Sequence, residues 1–398
     1  MSSKTLEAYL DRQLNALKEQ GVYRQLPIVS GAQGPGAIVN GKEVINLASN
    51  NYLGLATHPK LKEAAIKAVE KYGAGSGAVR TIVGTLDIHE ELEQKLAAFK
   101  GTEAALVFQS GFTANAGVLG VLLEEGDLVI SDELNHASII DGIRLTKATR
   151  AIYKHCDMDD LAKVLAGSRG QYKKIVIVTD GVFSMDGDIA PLDKIAELAK
   201  QHDAVTMVDD AHGSGVLGDH GRGTVSHYHI PHDQWDITVG TLSKAVGVLG
   251  GYVACSKKLR ELMEHRARPF LFSTSHPPAV TAAVIAALEI MQSSEGERLM
   301  GTMWANTAFF KAGLRTLGFE TGISQTPITP VIIGDEAKTM QFSDALYKDG
   351  VFCTGIAFPT VPKGRARVRT IVTATHTQQD LQTALDAFKK AGRDLGVI

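Results

Sequence analysis

Thr241-Leu242-Ser243-Lys244-Ala245-Val246-Gly247 is the part of this chain whose residue types most plainly offer chemistry. The apolar run Ile237-Thr238-Val239 precedes it, and glycines at 247, 250 and 251 follow. A lysine just past a buried strand, among small residues, can sit in a dry pocket. Burial there disfavours the charged amine, and the neutral form becomes a nucleophile toward a carbonyl. The same segment alone also reads as a solvated loop, so its meaning depends on what lies beside it.

Other apolar runs also end in polar or glycine-rich residues. After 104–108 come Gln109-Ser110-Gly111-Phe112-Thr113, a glycine turn into a helix whose backbone N–H groups could hold a phosphate. After 128–130 come Ser131-Asp132-Glu133-Leu134-Asn135-His136, and after 174–178 come Thr179-Asp180-Gly181-Val182-Phe183-Ser184. After 205–208 come Asp209-Asp210-Ala211-His212-Gly213. Ligands of open α/β sheets bind at the carboxyl ends of strands. Together these ends fit an aldehyde cofactor that acts as an electron sink, pyridoxal 5'-phosphate (PLP). Asp209 would keep a pyridine nitrogen protonated, with Asp210 as its competitor for that role. His212 could bond the ring oxygen, His136 could stack on the ring, and Lys244 would take the aldehyde. Ser110, Gly111, Phe112 and Thr241 could serve the phosphate.

The elements that must position these residues follow from periodicity. Leu6, Leu10, Leu14 and Leu17 recur at helical spacing, predicting a helix over 5–21. A strand at 43–47 precedes helices at 59–72, opened by Pro59, and at 87–100. Strands follow at 104–108, 128–130, 151–153, 174–178, 205–208, 237–239 and 252–254. Being β-branched and nearly uninterrupted, they read as buried on both faces, and the helices between them imply a largely parallel α/β sheet. After a helix at 278–292, helices at 300–317, 338–349 and 378–393 with strands at 329–333 and 367–373 suggest a smaller α+β unit. The expected division is an N-terminal helix and strand segment at 1–55, a large domain at 56–290 and a small C-terminal domain at 291–398.

Composition narrows the function classes. The net charge of −3 over 398 residues gives no reason to expect nucleic acid or a membrane surface as partner. The apolar runs are too short to span a bilayer and no signal core opens the chain. Cys156, Cys255 and Cys353 lie too far apart for a disulfide framework or a zinc knuckle, so a reducing cytoplasm is the expected setting. The turn at 213–218 matches G-x-G-x-x-G after a strand, but the polar, glycine-rich residues that follow will not start the helix a dinucleotide needs. His227, His229 and His232 cluster around a helix-breaking Pro231, which favours a solvated loop over a metal site.

Taken together, Asn50-Asn51-Tyr52-Leu53-Gly54-Leu55, Ser110-Gly111-Phe112, Asn135-His136-Ala137-Ser138, Asp180 to Gly187, Asp209-Asp210-Ala211-His212-Gly213 and Thr241-Leu242-Ser243-Lys244 resemble the PLP-dependent α-oxoamine synthases, from about residue 5 to 395. The resemblance implies a type I aminotransferase-like fold and a homodimer. Lys244 would bind the cofactor covalently and shuttle a proton, Asp209 would pair with the pyridinium, and His212 and Ser184 would contact the ring oxygen. Ser273 and Thr274 would reach the phosphate in the neighbouring subunit. Asn50 and Arg369 would hold the substrate carboxylate, with His136 and Thr360 also at the substrate. The alternation Arg365-Ala366-Arg367-Val368-Arg369 puts three arginines on one side, and without the resemblance the choice among them stays open.

The implied reaction is a Claisen-type condensation of an amino acid with an acyl-CoA. Similarity within 135–145 and 361–369, and Ala357 where biotin-pathway relatives tend to carry arginine, favour a glycine C-acetyltransferase (2-amino-3-ketobutyrate CoA ligase), which joins glycine and acetyl-CoA. The alternative is an 8-amino-7-oxononanoate synthase (alanine plus pimeloyl-CoA, decarboxylating) or a relaxed-specificity relative. Pro359-Thr360-Val361-Pro362 resembles that branch, and Arg24 could serve its acyl carboxylate. Ser243, Ala211 and the loop 73–77 depart from the commonest glycine-acetyltransferase pattern.

Overall fold

The computed structural model describes residues 3–19, 23 and 25–398; Arg24 and the expected helix end near residue 21 lie outside the described residues. A seven-stranded sheet forms the centre, in the order Ala104–Phe108, Gly251–Cys255, Ile237–Thr241, Val205–Asp209, Ile175–Asp180, Leu128–Asp132, Thr149–Tyr153. Neighbours pair in parallel from Ile237–Thr241 across to Thr149–Tyr153. Gly251–Cys255 runs antiparallel to both its neighbours. The reason is length, since the connection 242–250 is too short for the crossover that a parallel partner requires. Most residues of the central strands are buried, as β-branched runs covered on both faces should be.

Local signals explain the helices around this sheet. Ser110 caps Gly111–Leu122 by accepting from the Thr113 N–H, and Pro59 sits in the first turn of Pro59–Tyr72. Pro278–Met291 is apolar nearly all round because it packs against both Pro59–Tyr72 and Asp87–Lys100. The long helix Ser294–Leu317 begins well before the expected 300.

A three-stranded antiparallel sheet, Ile328–Gly334, Ala366–Ile371 and Thr354–Ile356, lies toward the C-terminus. Lys42–Asn46 pairs with Gly36–Val39 and, in parallel, with Val351–Phe352, while Leu47 shares a core with Phe310, Phe342 and Phe388. The leucines of Lys4–Glu19 follow the expected helical spacing, yet none is buried in the single chain.

Candidate active site

Five strand ends converge on one cavity of about 210 Å³, with Lys244 at its wall. A larger hollow, of about 640 Å³, opens elsewhere and has no lysine or histidine among the described residues that line it. Ser110, Gly111, Phe112, His136, Ser184, Asp209, His212, Thr241 and Lys244, each named from the sequence, all line the 210 Å³ cavity.

At one end, the first turn of Gly111–Leu122 presents its free N–H groups. The Thr241 and Ser243 hydroxyls meet there at 2.7 Å. A hypothetical Cβ on Gly111 would lie 3.4 Å from the Thr241 Cβ, an ordinary contact, so the two residues face each other closely at this end.

The two adjacent aspartates part company. Asp210 is fully buried away from the cavity, ion-paired with Lys100 at 2.7 Å. It also accepts from the Thr224 N–H (2.9 Å), the Thr224 hydroxyl (2.6 Å) and the Ser214 hydroxyl (3.0 Å). Its capacity is spent on structure. Asp209 lines the cavity and accepts from the Asn115 amide at 2.6 Å and the Ala211 N–H at 3.0 Å. Strand alternation separates them, because successive side chains point to opposite faces.

The Nδ1 of His212 lies 2.7 Å from the Tyr52 hydroxyl. Burial, then the nearby charges of Lys244 and Arg369, hold its pKa well below the usual imidazole value. His136 caps the helix Ala137–Arg144, its Nδ1 accepting from the Ser138 N–H at 3.2 Å. Its pKa is lowered, mainly by desolvation and against the pull of Asp209. Lys244 is pushed down to about 8 by desolvation, with Asp209 and Asp180 opposing and Arg369 adding to the fall. An amine so placed is neutral in a sizeable fraction near neutrality, as a carbonyl nucleophile must be.

The arginine alternation also resolves. Arg367 is 2% exposed and donates to the Met185 carbonyl at 3.0 Å and to the Asp186 carboxylate. Arg365 is exposed beside Glu320. Among the described residues Arg369 donates only to the Ser184 carbonyl, at 3.2 Å, which leaves most of its fork without a partner there, near Lys244. Asn50 is followed closely by Tyr52, and its buried Oδ1 has no partner among the described residues. Ser273, Thr274 and Thr360 do not line the cavity of their own chain, and Thr274 and Thr360 are exposed.

Several participants carried no role in the sequence reading. Asn115 and Tyr52 hold Asp209 and His212, and Asp180, its pKa raised well above the carboxylate range by burial and then by Asp209, accepts from the His136 N–H at 2.8 Å. His155 bridges Asp132 (3.0 Å) and Asp188 (2.8 Å). Burial works against its charge, but the hydrogen bonds to these carboxylates push its pKa up to about 12, so the imidazolium ties the loop before His136 to the loop after Ser184. An available signal was the lone asparagine in the otherwise small and apolar helix Gly111–Leu122.

The residues present fit PLP: free helix N–H groups at one end of the cavity, the Asp209 carboxylate on its wall, two lowered-pKa imidazoles and a lysine held near 8. Residues 42–388 match the family model "Aminotransferase class I and II". The chain is 63% identical to the 8-amino-7-oxononanoate synthase of Symbiobacterium thermophilum, covering 99% of this chain and 100% of that one. It is 58% identical to that of Thermoanaerobacter pseudethanolicus, covering 98% of each. An SPT (serine palmitoyltransferase) solved with PLP as its internal aldimine superposes with a TM-score of 0.93 at 32% identity, covering all of both chains.

These relatives overturn the expectation of glycine and acetyl-CoA as substrates. The segments behind that expectation are largely framework. Asn135 bonds Ser131, the Val178 carbonyl and the Asp180 N–H, Arg367 is spent on Asp186, and Ala357 is buried. His136 and Arg369 lie in the same segments, but the roles expected of them, at the ring and at the carboxylate, are shared by both branches and do not tell one amino acid from the other. The fold, the cavity and the relatives agree on one assignment: this chain belongs to the class I and II aminotransferase family and, within it, is a PLP-dependent α-oxoamine synthase, an enzyme of the acyltransferase type.

Proposed function

We propose that the chain is an 8-amino-7-oxononanoate synthase, joining alanine to pimeloyl-CoA with loss of the alanine carboxylate and release of CoA. The observation that carries this is end-to-end identity of 63% and 58% with enzymes of that name. When bound, PLP supplies an electron sink for negative charge at the α-carbon of the amino acid. The N–H groups of Gly111 and Phe112, with the hydroxyls of Ser110 and Thr241, hold its phosphate. With PLP bound, Asp209 would hold a proton on the ring nitrogen, His212 and Ser184 would hold the ring oxygen, and His136 would lie against the ring. Arg369 and Asn50 orient the alanine carboxylate, since a guanidinium fork matches it with two parallel hydrogen bonds. Lys244 takes the α-proton, a task suited to an amine lowered to about 8. The α-carbon then bonds to the thioester carbonyl carbon and the C–S bond breaks, CoA leaving as thiol with the proton that Lys244 took. Loss of the carboxylate as CO2 leaves an electron pair on the α-carbon, which takes a proton from water by way of Lys244.

The family typically works as a homodimer. For this chain, Ser273 and Thr274 would serve the phosphate of a second copy. Phe272 (72% exposed), Ile82 (74%) and Val83 (68%) lie bare in the single chain, consistent with a surface that another copy covers.

A side-by-side assay tests the substrate reading. Alanine with pimeloyl-CoA should release CoA and CO2 together, and glycine with acetyl-CoA should release far less CoA. Excluding or admitting one methyl is worth about 1–3 kcal/mol, so some turnover of glycine with pimeloyl-CoA is expected. Equal or faster CoA release from glycine and acetyl-CoA would sink the assignment. Borohydride reduction followed by peptide mapping should find the pyridoxyl mass on Lys244 alone.

A further inference from the structure

Asn115 sits in the middle of Gly111–Leu122, fully buried, and its Oδ1 has no partner among the described residues. A buried acceptor without a donor costs about 1–3 kcal/mol, and such a cost calls for an explanation. The other end of the amide gives one. The Nδ2 group donates to Asp209 Oδ2 at 2.6 Å and to Ser138 Oγ at 2.9 Å. Flipping the amide would set its carbonyl against the Asp209 carboxylate, so the orphaned oxygen is the consequence of pointing both N–H groups this way.

Direction then propagates. His136 Nδ1 accepts from the backbone N–H of Ser138 at a long 3.2 Å, and the nearer Ser138 hydroxyl, at 2.7 Å, decides which ring nitrogen holds the proton. Because the Ser138 oxygen already accepts from Asn115, its own proton is turned toward Nδ1. A neutral His136 then carries its proton on Nε2, the nitrogen with no partner among the described residues. Asp209 and His136 lie on different strand ends, and this chain of hydrogen bonds joins them.

We propose that Asn115 is a positioning residue of the reaction: by donating at once to Asp209 and Ser138, it fixes the carboxylate and sets the His136 ring with its proton on Nε2. This rests on the assignment of Asp209 and His136 to the cofactor ring. Without the amide, the Ser138 hydroxyl is free to turn toward water or Asp209, and His136 loses its oriented donor.

The test uses full-length protein with ¹⁵N-labelled histidine, wild type beside Asn115→Leu, Ser138→Ala and Ser138→Thr. NMR of the ligand-free wild type should show His136 as a single neutral tautomer protonated on Nε2. Asn115→Leu and Ser138→Ala should show both tautomers, and Ser138→Thr, which keeps the hydroxyl, should return to one. In the loaded enzyme Asn115→Leu should lower kcat about tenfold while the amino-acid KM changes less than about twofold. A merely structural amide would lower the unfolding midpoint and leave tautomer and kcat unchanged. Wild-type His136 protonated on Nδ1, or an Asn115→Leu enzyme matching wild type in either readout, would overturn the proposal. Should Asn115→Leu not fold, the serine variants decide: a wild-type tautomer in Ser138→Ala overturns it, and loss there with recovery in Ser138→Thr supports it. The NMR measurement needs no substrate, so it stands even if the substrate assignment fails.

Discussion

Asp209 and Asp210 are chemically identical neighbours, yet opposite consequences should follow from removing their charges. Asp210→Asn leaves the Lys100 ammonium, 3% exposed, facing a neutral amide. Removing one partner of a buried ion pair costs about 3–5 kcal/mol. Lys100 also donates to the Ser214 hydroxyl at 3.0 Å and to the Arg222 carbonyl, so the lower end, about 3 kcal/mol, is expected here. Against a total stability of about 5–15 kcal/mol, that is a large loss. Asp209→Asn keeps the shape of a group on a cavity wall, and its stability should change by less than about 1 kcal/mol. Its activity should suffer instead. A hydrogen bond to a charged group is worth about 1.5–3 kcal/mol, which corresponds to about 10–150-fold in turnover. Urea unfolding of the ligand-free proteins, followed by circular dichroism, measures the first quantity. CoA release measures the second. The reasoning fails if Asp210→Asn unfolds like wild type, or if Asp209→Asn loses as much stability as Asp210→Asn.

The arginines divide in the same way. Arg369→Ala should raise the alanine KM about 10–100-fold with little effect on unfolding, whereas Arg367→Leu should lower the unfolding midpoint because Asp186 loses its buried partner. Amine labelling of the ligand-free chain by acetic anhydride should show Lys244 titrating near 8. Its folded pKa lies below the ordinary lysine value of 10.5, so the unfolded chain binds more protons between about 8 and 10.5, and this group's contribution to stability should rise with pH across that window. Comparison with Lys244→Met by unfolding at several pH values isolates that slope. Tyr52→Phe removes the hydroxyl 2.7 Å from His212 Nδ1 and should cost about 1–2 kcal/mol in unfolding free energy together with a fall in kcat, since the imidazole loses its anchor.

Much of this arrangement was legible in the sequence because it depends on strand ends. Runs such as Ile175–Asp180 announce themselves by β-branching and apolarity, and the polar residues after them mark where the sheet opens. The choice of Asp209 over Asp210 was open to reading only in part, since strand alternation separates the two without saying which faces the cavity. The antiparallel course of Gly251–Cys255 followed from the short connection before it, a length argument that the apolar pattern alone does not make. Short strands such as Gly36–Val39 and Val351–Phe352 lacked enough residues for any period to register. Tyr52, Asn115 and His155 act through partners 160, 94 and 23–33 residues away, and such contacts have no local signature. The substrate branch was misread because the compared segments hold framework residues such as Asn135 and Arg367, together with residues such as His136 and Arg369 whose expected roles both branches share.

The segment bearing Lys244 leaves the sheet at Thr241 and re-enters it at Gly251, two residues that are register partners in adjacent strands. A loop pinned at both feet by ladder hydrogen bonds has little room to wander. The Lys244 amine therefore stays beside the cavity, at an effective concentration far above that of any dissolved amine. With PLP bound there, the same lysine would remain within reach of its aldehyde through a whole turnover, and no second molecule would be needed to hold it.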